Sequence, residues 1–172
     1  MPKALPLASD SIFGRHLFHL GVKDLGDVPS SLGLPSKHFA LLLAWDARGV
    51  PDQVIREFAQ RLIDEGLGYL CTWGPDCERV HDLFDQAVVE KDLDASGKSC
   101  VMTTWHDKEP LTEALWYFLC CTYPDEAYAN TCNAGLAISV RNDGWDREIV
   151  TALANPQSFK EGILKENCDG PA

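Results

Sequence analysis

The stretch HFALLLAWD, residues 38–46, is a continuous apolar run that ends in a tryptophan and an aspartate. Such a run is typical of a strand that is buried on both faces of a parallel sheet. In the next stretch, ARGVPDQVIREFAQRLIDEGLG (47–68), apolar residues recur at three- and four-residue spacing: Val54, Ile55, Phe58, Leu62 and Ile63. This pattern predicts an amphipathic helix, so residues 38–68 form one β–α unit.

The β–α pattern repeats three more times. Further strands are predicted at 69–73, 100–105 and 134–141, followed by helices at 75–91, 109–124 and 143–155. Four units in succession predict an α/β fold: a mainly parallel four-stranded sheet with helices on both faces, Rossmann-like or flavodoxin-like. With right-handed crossovers, we expect the spatial strand order 2-1-3-4, with 3-2-1-4 as the alternative.

The two ends of the chain differ from this repeating centre. Residues 1–37 are rich in Pro, Gly and Ser and predict an irregular N-terminal arm, within which HLFHLGV (16–22) could add an edge strand. Residues 38–156 form the α/β domain. Residues 157–172 are predicted to be a fraying C-terminal tail.

Charge and cysteine content limit the classes of partner. The net charge is −11, and the acidic residues are spread along the chain, which argues against nucleic-acid binding and permits a basic protein as partner, a cationic small molecule as ligand, or no role beyond solubility. No apolar run approaches the roughly 18 residues of a membrane span. Seven cysteines without a CxxC motif fit a reducing cytoplasm better than a disulfide framework.

Tryptophans end three of the predicted strands. Ligands of parallel α/β sheets bind beyond the carboxyl ends of the strands, so we expect a ligand site at that edge formed by Trp45, Trp73, Asp76, Trp105, Asp107 and Arg141. In the alternative interpretation, each tryptophan caps the sheet and packs under the following helix.

His106 is the residue of this edge with the widest chemical range, because an imidazole titrates near neutral pH. In the strand order 2-1-3-4, Asp46 would lie beside His106 and could orient it as a general base. The same pair could equally secure two loops without catalysis. The sequence lacks GxGxxG, GxxxxGK[ST], HExxH and GxSxG motifs, so no cofactor and no metal are predicted.

The predicted helix 109–124 is apolar on nearly every side, which is unusual for a helix that covers a sheet. Either the N-terminal arm covers its outer face, or a second copy of the chain does, in a homodimer.

The stretches VMTTWHDKEPLTEALWYFL, LLLAWD and YLCTWGPDCERVHDLFD resemble a bacterial family catalogued as a domain of unknown function. The resemblance spans roughly residues 38–155. It implies a bacterial cytosolic protein, and it assigns no activity and no catalytic residue.

Two hypotheses of function follow. The first is a non-catalytic binding module that recognises a small ligand or a protein, in the manner of an immunity protein or antitoxin. The alternative is a small hydrolase or glycosyl-transfer enzyme acting on a nucleotide-like substrate, with His106 and Asp46 as catalytic residues. The sequence leaves open whether the protein is an enzyme.

Overall fold

Six strands and five α-helices make up the part of the chain that the computed structural model describes, residues 2–92 and 100–168. The strands are β1 (Leu5–Ser9), β2 (His16–Val22), β3 (His38–Ala44), β4 (Leu67–Trp73), β5 (Met102–His106) and β6 (Cys132–Val140). The helices are α1 (Asp52–Asp64), α2 (Cys77–Asp92), α3 (Leu111–Cys120), α4 (Asp143–Ala154) and α5 (Pro156–Cys168). Two short 3₁₀ turns lie at Leu25–Asp27 and Glu126–Tyr128.

The strands form one mixed sheet in the order β1-β2-β6-β3-β4-β5. β1 is antiparallel to β2, and the other neighbours are parallel. The α/β class with a mainly parallel sheet is therefore confirmed, but the prediction of four strands is wrong. Both predicted strand orders are also wrong, because the four predicted strands lie in the order 4-1-2-3. The chain passes from β3 through β4 to β5 in one direction and then returns past β3 to form β6.

The N-terminal segment belongs to the sheet, so the prediction of an irregular arm is wrong. β2 is an internal strand that pairs with β1 on one side and with β6 on the other. Its parallel register with β6 runs without a break from His16 opposite Ala134 to Val22 opposite Val140. The segment 16–22 is thus a strand as the sequence indicated, although not at an edge.

The sheet separates two apolar cores, and β3 contributes to both. Phe39, Leu41 and Leu43 pack on one side with α1 and α2. Ala40, Leu42 and Ala44 pack on the other side with α3 and α4. Since successive side chains of a strand point to opposite faces, burial of both faces accounts for the continuous apolar run from which the fold was predicted.

The apolar outer surface of helix α3 is covered by other helices of the same chain. It contacts α4 and α5 as well as the sheet. The N-terminal segment contacts residues just after α3, where Phe13 packs edge-to-face on Tyr123 and Arg15 binds Thr122. Residues 156–168 are helical, so the prediction of a fraying tail is wrong for residues 157–168, and its remainder, residues 169–172, lies outside the described residues. Across residues 2–92 and 100–168, no helix has the length and apolar composition of a membrane span.

A buried ion pair fastens α5 to the turn between β1 and β2. Lys160 Nζ donates to Asp10 Oδ1 at 3.1 Å, and the two side chains are 7% and 1% exposed. Asp10 also accepts the N–H groups of Ile12 and Phe13. The carboxylate is therefore satisfied by its own turn and by a helix 150 residues away.

Replacing Lys160 with Met would leave Asp10 buried without its counter-charge, while the apolar stem of the side chain is kept. Breaking one partner of a buried pair costs about 3 kcal/mol, so we expect the free energy of unfolding to fall by about that amount in urea titrations. The matched control is Lys165→Met, at an exposed position of the same helix. Equal unfolding midpoints for the two variants would contradict the assigned role of the pair.

Candidate functional site

A cleft of about 860 Å³ opens beyond the carboxyl ends of β2, β6 and β3. We call it the switch-point cleft. It is lined by Asp24, Leu25, Trp45, Asp46, Arg48, Gly49, Val50, Pro51, Val54, Val140, Arg141, Asn142 and Trp145. Its volume lies in the range of about 300–1,000 Å³ that is common for small-molecule sites.

The cleft results from the way the chain leaves two neighbouring strands. After β3 the chain enters α1, which packs on one face of the sheet, whereas after β6 it enters α4, which packs on the opposite face. The two connections diverge and leave a gap between them. Such a point of reversal is where ligands bind in open α/β sheets.

Apolar side chains form the inner surface of the cleft. Trp45 is 6% exposed, and Leu25 and Val140 are also buried. Trp145 lies at one side, and its ring is held by an edge-to-face contact with Trp73 at a centroid distance of 5.0 Å. Trp73 is fixed in turn, because its Nε1 donates to the carbonyl of Glu109. The cleft therefore offers a rigid aromatic surface.

The loop that carries Trp45 is held by close contact between its backbone and the backbone of residues 73–74. Gly74 follows β4 with φ of +111°, and a Cβ at this position would lie 2.6 Å from the Trp45 carbonyl oxygen. The Trp45 N–H donates to the Trp73 carbonyl at 3.0 Å. Glycine is needed here for both its backbone conformation and its small size, and the contact fixes the end of β3.

Two arginine–aspartate pairs line the cleft. Arg48 donates from Nε to Asp46 Oδ1 at 2.8 Å and from Nη2 to Asp46 Oδ2 at 2.5 Å. Hydrogen bonds from the Arg48 side chain hold the pKa of Asp46 below its ordinary value. Arg141, at φ of +59° after β6, donates from Nη2 to Asp24 Oδ2 at 2.7 Å. Both carboxylates are thus occupied by guanidinium groups.

Helix α4, which carries Trp145, is anchored by a polar cluster in which His19 and Ser139 are buried and Asp146 is half-buried. Asp146 accepts the Ser139 hydroxyl in a short hydrogen bond and lies 3.1 Å from His19 Nε2. Gly21 makes room for it, since a Cβ there would lie 2.7 Å from both carboxylate oxygens. The Asn142 side chain caps the helix by accepting the N–H groups of Gly144 and Trp145. The Asn142 cap before Trp145 and the contacts of Asp146 after it therefore fix the position of the Trp145 backbone.

The other predicted ligand residues lie away from this cleft. Trp105 is 45% exposed on the edge strand β5, where its ring packs 4.6 Å from that of His81. Asp76 and Asp107 line a separate acidic depression of about 360 Å³, together with Cys77, Glu78, Arg79 and Asp82. The expected set is divided because β4 and β5 lie on the outer side of β3. Of its members, Trp45 and Arg141 line the switch-point cleft.

The predicted contact between Asp46 and His106 is wrong. β4 lies between β3 and β5, and Asp46 binds Arg48. His106 is 5% exposed, with Nδ1 at 2.8 Å from Glu109 Oε2 and Nε2 at 3.3 Å from Thr104 Oγ1. Asp46 therefore does not orient the imidazole of His106.

Several residues of the site were missed from the sequence. Arg48 lies two positions after Asp46, and this spacing alone could have signalled their pairing. Asp24 and the cluster of His19, Ser139 and Asp146 gave no local signal, because their partners are more than 100 residues away in several cases. In residues 2–92 and 100–168, no group of three or more His, Cys, Asp or Glu side chains is placed to hold a metal ion.

The fold and the cleft define the class of protein to which the chain belongs. It is an α/β protein with a mainly parallel sheet and an open cleft at the point where strand order reverses. The chain belongs to the family described as Domain of unknown function (DUF7684), whose model matches residues 18–156. The resemblance to an uncharacterised domain family is thereby confirmed, and the match also covers residues 18–22 of β2. Comparisons with curated proteins and with solved structures found no match.

Burial of His19 in the polar cluster beneath α4 predicts a loss of stability in mild acid. Burial lowers the pKa of His19 and outweighs the opposing effect of Asp146. Above an unfolded-state pKa of about 6.5 both states are neutral. As the pH falls below that value, the unfolded chain binds a proton that the folded chain resists, so the free energy of unfolding decreases by up to about 1.4 kcal/mol per pH unit.

Urea unfolding at steps from pH 7 to pH 5 measures this slope, and we expect it to be smaller in His19→Gln. His38, whose pKa is also lowered by burial, leaves part of the slope in both proteins. An unchanged slope in the variant would show that His19 does not contribute.

Proposed function

We propose that this protein is a non-catalytic binding module that holds a small organic molecule in the switch-point cleft. The observation that carries the proposal is the composition of the cleft lining. It combines a buried aromatic and aliphatic surface with a few charged groups at its rim, which is the usual arrangement of a small-molecule site.

The same lining supports binding rather than catalysis. Among the described residues that line the cleft, none is a His, Cys, Ser, Thr, Lys or Tyr that could act as nucleophile or as a base near neutral pH. The carboxylates present are Asp24 and Asp46, and both are held by arginines. The lowered pKa of Asp46 makes it a weak base.

The catalytic alternative would need a substrate at His106. This ring is buried and lines neither the switch-point cleft nor the acidic depression. Its Glu109 and Thr104 partners occupy both ring nitrogens. We therefore favour the binding module over the hydrolase.

As location we propose the cytoplasm of a bacterium. Free thiols are carried by Cys71, Cys77, Cys120, Cys121 and Cys132. Thiols persist in reducing compartments, whereas secreted domains of this size often form disulfides. Burial raises the pKa of Cys71 to about 12, so this thiol is held as an unreactive core residue.

The neutral fluorophore N-phenyl-1-naphthylamine tests whether the cleft takes up an aromatic molecule. Its fluorescence increases in apolar surroundings, so a titration gives a Kd. We expect Trp145→Ala to weaken binding about tenfold, since the variant removes an aromatic side of the cleft.

Trp105→Ala is the matched control, because Trp105 is an exposed tryptophan outside the cleft. Its Kd should equal that of the unaltered protein. Weaker binding in Trp105→Ala together with an unchanged Kd in Trp145→Ala would move the site to the β5 edge and contradict the proposal. Urea unfolding of both variants verifies that the proteins compared are folded.

A further inference from the structure

We infer that the ligand of the switch-point cleft is an organic anion, whose carboxylate or phosphate group binds Arg48 and Arg141 while its apolar body packs on Trp45 and Trp145. This inference rests on the proposed function, since it specifies the ligand class of the same cleft.

Both arginines have donors to spare. A guanidinium carries five N–H groups. Arg48 uses Nε and Nη2 on Asp46, and Arg141 uses Nε on the Lys23 carbonyl and Nη2 on Asp24. Among the described residues, neither Nη1 has an acceptor. The two side chains are 70% and 75% exposed, so an anion can reach these donors without breaking an existing pair.

The aspartates hold the arginines in place. Because their carboxylates are already paired with the arginines, they do not attract a cationic ligand to the cleft. A cationic ligand would have to displace Arg48 from Asp46, to which it is joined by two hydrogen bonds. The guanidinium of Arg48 is charged throughout the pH range of a folded protein, and the hydrogen bond to Asp46 raises its pKa further. An anion instead adds to donors that are already oriented, and planar forks of this kind match carboxylate and phosphate oxygens.

The local charge of the cleft lining differs from that of the molecule, because two arginines balance two aspartates there. The chain carries 26 acidic and 15 basic residues, and its general field repels anions. At the cleft, by contrast, the two aspartates are balanced by Arg48 and Arg141, so an anion meets no net repulsion from the lining and can reach the spare N–H donors of these arginines. They sit beside the apolar surface of Trp45, Val140 and Leu25, which favours an anion with a hydrophobic body over inorganic phosphate.

A pair of fluorophores isolates the contribution of the charge. 1-Anilinonaphthalene-8-sulfonate has the rings of N-phenyl-1-naphthylamine and adds one sulfonate. We expect the anionic probe to bind the protein at least tenfold more tightly than the neutral probe. The double variant Arg48→Gln, Arg141→Gln should remove this preference, so that the anionic probe binds no more tightly than the neutral probe.

Two further variants separate the guanidinium groups from other effects of charge. The variant Asp46→Asn combined with Arg48→Gln removes both charges of one pair, so no carboxylate is left without its arginine partner. It should still weaken binding of the anionic probe. Arg147→Gln, an exposed arginine on α4 outside the cleft, makes the same change in net charge as Arg48→Gln and should not weaken it. Equal weakening by Arg147→Gln would overturn the inference.

The outcomes distinguish the inference from the proposed function. If the neutral probe binds and loses affinity in Trp145→Ala, but the anionic probe binds no better, the cleft is a ligand site and the anion inference is wrong. If neither probe binds, both are wrong. If the anionic probe does bind more tightly than the neutral probe, its displacement by 1-naphthoate or by 1-naphthyl phosphate tells which anionic group the arginines prefer.

Discussion

The insertion of β6 between β2 and β3 is the constraint on which the other features depend. Eight of the nine residues of β6 are buried, and parallel neighbours on both sides satisfy its backbone. Close packing over this strand requires a small residue, because a Cβ at Gly135 would lie 2.9 Å from Leu17 and 3.2 Å from the Phe118 ring. By occupying this position, β6 separates the ends of β2 and β3 and directs α4 to the face opposite α1, which leaves the cleft open.

The strands and helices that could be predicted from the sequence are those with a local apolar periodicity. The β–α alternation from residue 38 onward is visible because each strand and helix carries its own apolar pattern. Strand order is different: handedness constrains each crossover but does not fix how many strands it passes, so the return of the chain to β6 was not predictable. β2 was underestimated because His16 and His19 interrupt its apolar run, although His19 is 7% exposed and bound to Ser139 and Asp146.

The candidate site shows the same division between local and distant information. Of the ligand residues expected at the carboxyl edge, Trp45 and Arg141 line one cleft, and Asp46, predicted as a catalytic residue, lines the same cleft. The prediction grouped them with Trp73 and Trp105 because it assumed that every strand end contributes to one site. In the structure a tryptophan supports the cleft from behind, as Trp73 does, or lies on another edge, as Trp105 does. Which of these applies depends on strand order.

The buried pair of Asp10 and Lys160 has a consequence for synthesis of the chain. Asp10 leaves the ribosome 150 residues before Lys160, so its carboxylate stays in water, without its counter-charge, until Lys160 has been synthesised. The turn that contains it cannot be buried at low cost until α5 arrives, because an unpaired charge resists desolvation. Completion of the sheet at the β1 edge is thereby coupled to α5, and the nascent sheet acquires its full cooperativity only when that helix has emerged.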